Sequence, residues 1–196
     1  DLYVATGDAG EPDSAQDLDS LAGKILRTSP DGSIPRDNPF PDSAVWSLGH
    51  RNVQGLAFDS AGRLWATEFG TNIADELNLI TPGGNYGWPA VEGTGGGTDY
   101  IDPQAQWAPT SLASPSGVAI LGDVAYVASL RGEVVWQVPL VGDRAGTPIA
   151  LDLGSLGRLR TIQAMPDGTL WLVTSNTDGR GDPRDADDRI LALTPA

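Results

Sequence analysis

Residues 47–89 read SLGHRNVQGLAFDSAGRLWATEFGTNIADELNLITPGGNYGWP, and this stretch decides the fold. Gly55-Leu56-Ala57-Phe58 is a short apolar run. Asp59-Ser60-Ala61-Gly62 supplies the turn chemistry of a hairpin. Leu64-Trp65-Ala66-Thr67 returns as a second apolar run with an aromatic in second place. Glu76-Leu77-Asn78-Leu79 then alternates with the period of two that marks a strand. The same stretch holds Arg51, Asn52, Glu68, Asn72, Asp75 and Glu76, a dense set of groups suited to an anionic, oxygen-rich ligand.

Outward from this stretch the pattern repeats. The run with the aromatic second recurs as Leu2-Tyr3-Val4-Ala5, Ala125-Tyr126-Val127-Ala128 and Leu170-Trp171-Leu172-Val173. The preceding apolar run recurs as Gly117-Val118-Ala119-Ile120 and Thr161-Ile162-Gln163-Ala164, joined by Leu121-Gly122-Asp123 and Pro166-Asp167-Gly168. A third run follows each time: Lys24–Arg27, Val134–Gln137 and Arg189–Ala192. The spacing of roughly 50 to 60 residues lies in the range of propeller blades. The predicted fold is therefore all-β, a β-propeller built from antiparallel units of up to four strands. Only Ser14 to Gly23 suggests a helical turn.

Gly and Pro are frequent, 25 and 15 residues, and interrupt nearly every window in which a helix would have to form. A formal charge of −14 disfavours nucleic acid and anionic membranes as partners, because phosphate recognition needs Lys and Arg. There is no Cys, which excludes disulfides and thiolate sites. No apolar run reaches membrane-spanning length, so no membrane insertion is expected. The chain opens inside a strand-like run. The expectation is a single domain over residues 1–196, a partial propeller of about three and a half blades with its N-terminal blades missing.

Gly49-His50-Arg51-Asn52-Val53-Gln54-Gly55, Glu68-Phe69-Gly70, Asp75-Glu76-Leu77-Asn78 and Gly83-Gly84-Asn85-Tyr86-Gly87-Trp88-Pro89 resemble, in order and spacing, the soluble PQQ-dependent glucose and aldose sugar dehydrogenases. LYVATGDAG, AGKILRTSPDGSIPRDNPF, SPSGVA and LRG agree with this, so the resemblance covers essentially the whole chain. It implies a six-bladed propeller with PQQ over the central channel beside Ca²⁺. It also implies hydride transfer from C1 of an aldose sugar to the quinone, giving a lactone, with an external electron acceptor. A periplasmic or secreted location follows from the resemblance and agrees with the lack of Cys.

The resemblance assigns Arg51 and Asn52 to the cofactor, with Arg51 beside the reacting carbonyl. Arg158 and Arg160 match an Arg-x-Arg pair on PQQ carboxylates, and Arg131 stands where glucose-oxidising members carry Lys. Arg forks suit a tricarboxylate. Trp107 matches an aromatic that stacks on PQQ; a core or blade-edge position is the competing reading. Gly70 and Thr71 match two backbone carbonyls on the catalytic calcium, a hard cation that takes oxygen ligands. Glu76 and the carbonyl of Tyr86 match a second, structural calcium site. Asn176, Thr177 and Asp178 are expected on a loop at the same end of the channel.

His50 is the single His. The resemblance places the catalytic base upstream of Asp1 and gives His50 a scaffold role, so the chain alone is expected to be inactive. Two alternatives use the same fold: a calcium-dependent lactonase and a non-enzymatic recognition propeller. The first would need acidic ligands converging from several blades. The second gives no reason to gather Arg51, Arg131, Arg158 and Arg160 at equivalent blade positions.

Overall fold

Every run named above falls on a strand in the computed structural model, Val134 and Arg189 lying one residue before theirs; the structure describes residues 1–195, and Ala196, the last residue of the expected domain, lies outside the described residues. β1 (Leu2–Ala5), β2 (Lys24–Thr28) and β3 (Val45–Leu48) form the first sheet in that order. β4 (Val53–Phe58), β5 (Leu64–Glu68), β6 (Asp75–Ile80) and β7 (Ala105–Trp107) form the second. In the third, β8 (Pro115–Leu121), β9 (Val124–Ser129) and β10 (Val135–Val141) are followed by β11 (Arg144–Ala145) and β12 (Ile149–Leu151), which both pair with β10. β13 (Leu159–Ala164), β14 (Leu170–Thr174) and β15 (Ile190–Leu193) form the fourth. All strand pairings are antiparallel.

The sheets stack in chain order with both faces of the inner pair buried, because alternate residues point to opposite faces. On β9, Ala125 and Val127 pack toward Trp65, Leu77 and Trp107 of the second sheet. The intervening Tyr126 and Ala128 pack toward Leu159, Ile162, Leu170 and Leu172 of the fourth. On β5, Trp65 faces the third sheet, whereas Leu64 and Ala66 cluster with Ile25 of the first sheet and with Tyr86 from the segment after β6. Removing a fully buried side chain such as Trp65 costs about 3–5 kcal/mol. The outer faces end without a neighbouring sheet: Leu2, Val4, Trp171 and Ile190 are exposed. The arrangement is an all-β stack consistent with part of a β-propeller.

Two glycines set how closely the first strands of neighbouring sheets approach. A Cβ on Gly55 of β4 would lie 2.6 Å from the carbonyl oxygen of Ser116. One on Gly117 of β8 would lie 2.9 Å from Cα of Thr161. Such contacts are too short for real Cβ atoms, so backbone packs on backbone there. The expected helical turn is displaced: Pro12–Ala15 forms one 3₁₀ turn, with Pro starting it, and the remainder of Ser14 to Gly23 is irregular. A second short 3₁₀ turn covers Thr110–Leu112. No helix among the described residues is long and apolar enough to cross a membrane.

Candidate functional site

The lead-in to each first strand is closed by the same backbone hydrogen bond. Phe69 N donates to Asn52 O (3.0 Å), Leu130 N to Ser114 O (3.0 Å) and Ser175 N to Arg158 O (2.8 Å). Asn52, Ser114 and Arg158 each precede their strand by one residue. Their own N–H groups, outside the ladder, each find a buried side-chain acceptor. Asn52 N donates to Glu68 Oε1 (3.2 Å), Ser114 N to Asp75 Oδ2 (2.8 Å) and Arg158 N to Asn176 Oδ1 (2.7 Å). The strands then carry register shifts at Val53/Gly55, Pro115/Val118 and Leu159/Thr161. Bulges of this kind re-aim side chains beside functional sites. Here they bring together Gln54, Ser116 and Arg160: Arg160 Nη1 donates to Gln54 Oε1 (3.4 Å) and Ser116 Oγ (3.5 Å). Gln54 Nε2 in turn donates to Asn52 Oδ1 (2.7 Å).

Arg51 lies at this end. Its guanidinium donates to the carbonyls of Phe69 (3.3 Å) and Gly70 (2.8 Å) and sits 5.6 Å from the ring centre of Trp88. Trp88 is held by Asp8, whose Oδ2 accepts its indole N–H (2.9 Å). Asp8 N in turn donates to Arg51 O (2.9 Å). All these partners of the Arg51 guanidinium are neutral, so none of them neutralises its charge. Arg158 differs: it is buried and paired with Asp178, Nε at 3.1 Å and Nη2 at 3.0 Å from Oδ2. Burial raises the Asp178 carboxyl, but the Arg180 amide and Arg158 outweigh this and hold it below the usual range. Arg160 is half-exposed and lies 3.9 Å from the same carboxylate. Arg131 is exposed at the same end, two residues after β9. The four arginines therefore share an end without occupying equivalent positions. Arg51 and Arg158 precede their first strands by two residues and one, Arg160 is inside β13, and Arg131 follows a second strand.

The loop after β5 is shaped by a residue outside the sequence-derived set, Glu92. Its Oε1 accepts from the amides of Thr71 (2.9 Å), Ile73 (2.9 Å) and Ala74 (3.0 Å), and Oε2 from the Thr71 hydroxyl (2.6 Å). Burial pushes its carboxyl up, but the hydroxyl and amide donors prevail and keep it below the ordinary Glu value. Gly70 N donates to Asp75 Oδ1 (3.0 Å), and a Cβ on Gly70 would collide with Ala74 O and Glu92. With its amides committed inward, the loop has backbone carbonyls left to offer, and those of Gly70 and Thr71 are ones a hard cation could use. Gly70 O already accepts from Arg51, so a cation there uses the second lone pair and sets two positive charges side by side. That pairing is tolerable beside an anionic ligand.

Glu76 is buried, its Oε1 accepting from Gly93 N (2.7 Å) and Oε2 from Asn78 Nδ2 (2.9 Å). Burial, with the Glu68 charge adding to it, raises its pKa to about 7. It lines a small internal cavity with Glu68, Glu92, Gly70, Tyr86 and Trp88. The Tyr86 hydroxyl donates to Leu79 O (2.6 Å) and accepts from Thr81 N (2.9 Å), which fixes this segment against β6. Among the described residues no group of three or more His, Cys, Asp and Glu side chains converges in metal-binding geometry.

Several sequence-derived residues sit elsewhere than a ligand face. Trp107 is 3% exposed, in the core between the second and third sheets, 6.0 Å from Trp136. Its ring is covered by side chains, in keeping with the core alternative and not with stacking on a ligand. Glu68 and Asp75 spend both oxygens on internal donors, and Asn72 is exposed on the loop. His50 is fully buried, stacked 4.8 Å from Tyr86, with Nδ1 2.9 Å from Glu68 Oε2 and Nε2 2.9 Å from Ser47 Oγ. Both ring nitrogens are committed, so this imidazole has no free position for a substrate proton. Asn176 braces Arg158, while Thr177 donates to Asp188 (2.5 Å). Gln54, Ser116 and Glu92 escaped the sequence reading, although Gln54 and Ser116 lay inside quoted motifs.

The family described as Glucose / Sorbosone dehydrogenase matches residues 1–184. The chain belongs to this family. Among structures, it superimposes with a TM-score of 0.94 and 55% identity on the PQQ-bound form of aldose sugar dehydrogenase from Streptomyces coelicolor, covering 97% of this chain and 57% of that one. A putative glucose dehydrogenase from Thermus thermophilus gives a TM-score of 0.91 and 43% identity, covering 97% and 61%. The aldose sugar dehydrogenase YliI of Escherichia coli is 30% identical over 91% of this chain and 55% of its own length. The chain spans about half the length of the curated relatives it matches over most of its extent.

Proposed function

We propose that the protein carrying this chain is a PQQ- and calcium-dependent dehydrogenase that oxidises aldose sugars to lactones, passing electrons on to an external acceptor. The observation that carries this reading is the set of guanidinium groups at one end of the sheets. Arg51 and Arg160 have neutral hydrogen-bond partners, and Arg131 is exposed, in a chain of charge −14. A tricarboxylate matches such a set. The PQQ-bound form of the Streptomyces relative supports the same cofactor. Bound PQQ would supply the quinone that accepts hydride from C1 of the sugar, with calcium polarising the quinone carbonyl.

Within this chain, Arg51 and Arg160 hold anionic groups, Asn52 offers an amide next to Arg51, and Arg131 adds charge from the third sheet. Arg158 backs Arg160 through Asp178. The Gly70 and Thr71 carbonyls would hold the catalytic calcium, and Glu76 with the Tyr86 carbonyl would hold a second ion. By the same family resemblance, the proton acceptor for the sugar hydroxyl lies outside this chain; the buried, committed His50 agrees with that. A six-bladed ring and a periplasmic or secreted setting belong to the same reading. The test is a PQQ titration of the intact protein with Ca²⁺, followed by dye reduction with glucose and other aldoses. Sugar-dependent reduction is expected. Its absence, with holoprotein formation verified by absorbance, overturns the reading.

A further inference from the structure

The buried chain Ser47–His50–Glu68 lies behind the residues assigned to the cofactor and is not itself part of that assignment. Glu68 ends β5, directly across the ladder from Val53. The turn before β4 leaves the N–H groups of Arg51 and Asn52 outside the ladder, and both donate to Glu68 Oε1, the second at 3.2 Å. Glu68 Oε2 takes the His50 Nδ1 contact at 2.9 Å. In the tautomer that donates from Nδ1 to the Glu68 carboxylate, Nε2 accepts from the Ser47 hydroxyl. Glu68 is 4% exposed, and Ser47 and His50 are fully buried, so these bonds have no water to replace them. The guanidinium of Arg51 then returns to the carbonyls of Phe69 and Gly70, the two residues after Glu68.

From this closed circuit we infer that Glu68 is the positioning residue of the site. It fixes the backbone of Arg51 and Asn52 from behind, and His50 with Ser47 holds its second oxygen in place. The inference rests on the cofactor reading of Arg51 and Asn52. Glu68 acts through these two residues and not on the ligand, so most of its effect on binding should be lost when the Arg51 side chain is gone, leaving only the part carried by Asn52.

The experiment is a double-mutant cycle in the intact protein, with PQQ affinity measured by titration in Ca²⁺ and folding checked by circular-dichroism melts. Glu68→Ala is expected to weaken PQQ binding roughly ten- to hundredfold, as loss of a group behind site ligands commonly does. Combined with Arg51→Ala, it is expected to add less than about threefold to the loss from Arg51→Ala alone. A merely structural role would lower the melting temperature in both backgrounds and give additive effects on binding. If Glu68→Ala does not fold, Glu68→Gln takes its place. That variant keeps an acceptor for the two amides and is accommodated by exchange of the His50 tautomer, so a smaller but equally non-additive loss is expected. Additive losses, or unchanged affinity in folded Glu68 variants while Arg51→Ala binds weakly, overturn this inference alone. Absence of PQQ binding by the unmutated protein overturns the cofactor reading, and this one with it.

Discussion

The lead-ins to β4 and β13 are built alike and charged differently. Each is closed by a backbone bond from the exit of the next strand, and each has an N–H that a buried side chain accepts. In the second sheet that acceptor is a carboxylate, Glu68, backed by His50. In the fourth it is a neutral amide, Asn176, whose Nδ2 donates to Leu156 O and Asp187. The arginines follow the opposite rule. Arg51 rests on carbonyls and an aromatic face, whereas Arg158 is spent on Asp178. The second sheet thus keeps its carboxylates inside and offers its cation, while the fourth neutralises one cation to present another, Arg160.

The largest expected effect tests the buried carboxylates of the second sheet. Glu68 and Glu76 face each other across the ladder between β5 and β6, whereas Thr174 stands at the corresponding place in the fourth sheet. Glu76 binds its proton more tightly in the folded protein, at about 7, than at its ordinary value of 4.5. Stability should therefore fall as pH rises from about 4.5 to about 7, by about 3 kcal/mol for the whole shift. A cation at Glu76 favours the ionised form and should remove that fall. Urea unfolding across this range, with chelator and with Ca²⁺, measures it. Asp75, whose burial raises its pKa to about 6, adds to the fall over the same range, so Glu76→Gln should reduce the fall in the chelated profile without abolishing it, and an unchanged profile would remove Glu76 as a source.

The next effect separates the two arginines. Arg51→Ala should weaken PQQ binding about a hundredfold, the scale of losing charged hydrogen bonds. Arg158→Ala should instead act mainly on stability, because it strands Asp178 and removes a buried stem, while PQQ affinity drops less than about tenfold. Titrations and melts on both variants decide it. Equal losses of affinity would erase the distinction between a ligand-facing and a scaffold arginine. A smaller change, Asn176→Ala, leaves the Arg158 amide without its acceptor and should cost about 1–3 kcal/mol in stability by chemical denaturation. No cost would show that the fourth lead-in does not depend on that bond.

The strands were legible because their physics is local. Period-two alternation, an aromatic in second place and Gly or Asp in the hairpins appear within a few residues. The turn at Ser14 to Gly23 was less so, because Pro12 starts a 3₁₀ turn earlier and Gly23 ends the segment at a left-handed φ of 67°. The candidate site was legible where the family resemblance marks a residue, as with Arg51 and Arg160, whose places at one end of the sheets suit the proposed role. It was not legible where long-range register decides the partner. Glu68 looks like a ligand until Val53 is found opposite it. Trp107 lies on a three-residue strand whose pairing with Asp75 turns it into the core. Gln54 and Ser116 gain their role only when bulges on separate strands align with Arg160. Glu92 works through the amides of a loop some twenty residues away, which no spacing rule announces.

The smallest expected effect is the sharpest test of the contrast, because its sign is unusual. Asp178 lies against both Arg158 and Arg160, at 3.0 Å and 3.9 Å. If it neutralises cations that would otherwise attract an anionic ligand, Asp178→Asn keeps the shape and releases the charge. PQQ affinity should then rise about threefold to tenfold at low salt, and the gain should shrink as ionic strength screens it. The same substitution should lower stability less than Arg158→Ala does, since the amide oxygen of Asn still accepts from the buried Arg158 guanidinium. Titrations at two salt concentrations give both the size and the screening. A loss of affinity would mean that Asp178 orients its arginines for the ligand more than it discharges them. The fourth sheet would then work as the second does, with a carboxylate holding a cation in position, and the two lead-ins would differ only in which atoms do the holding.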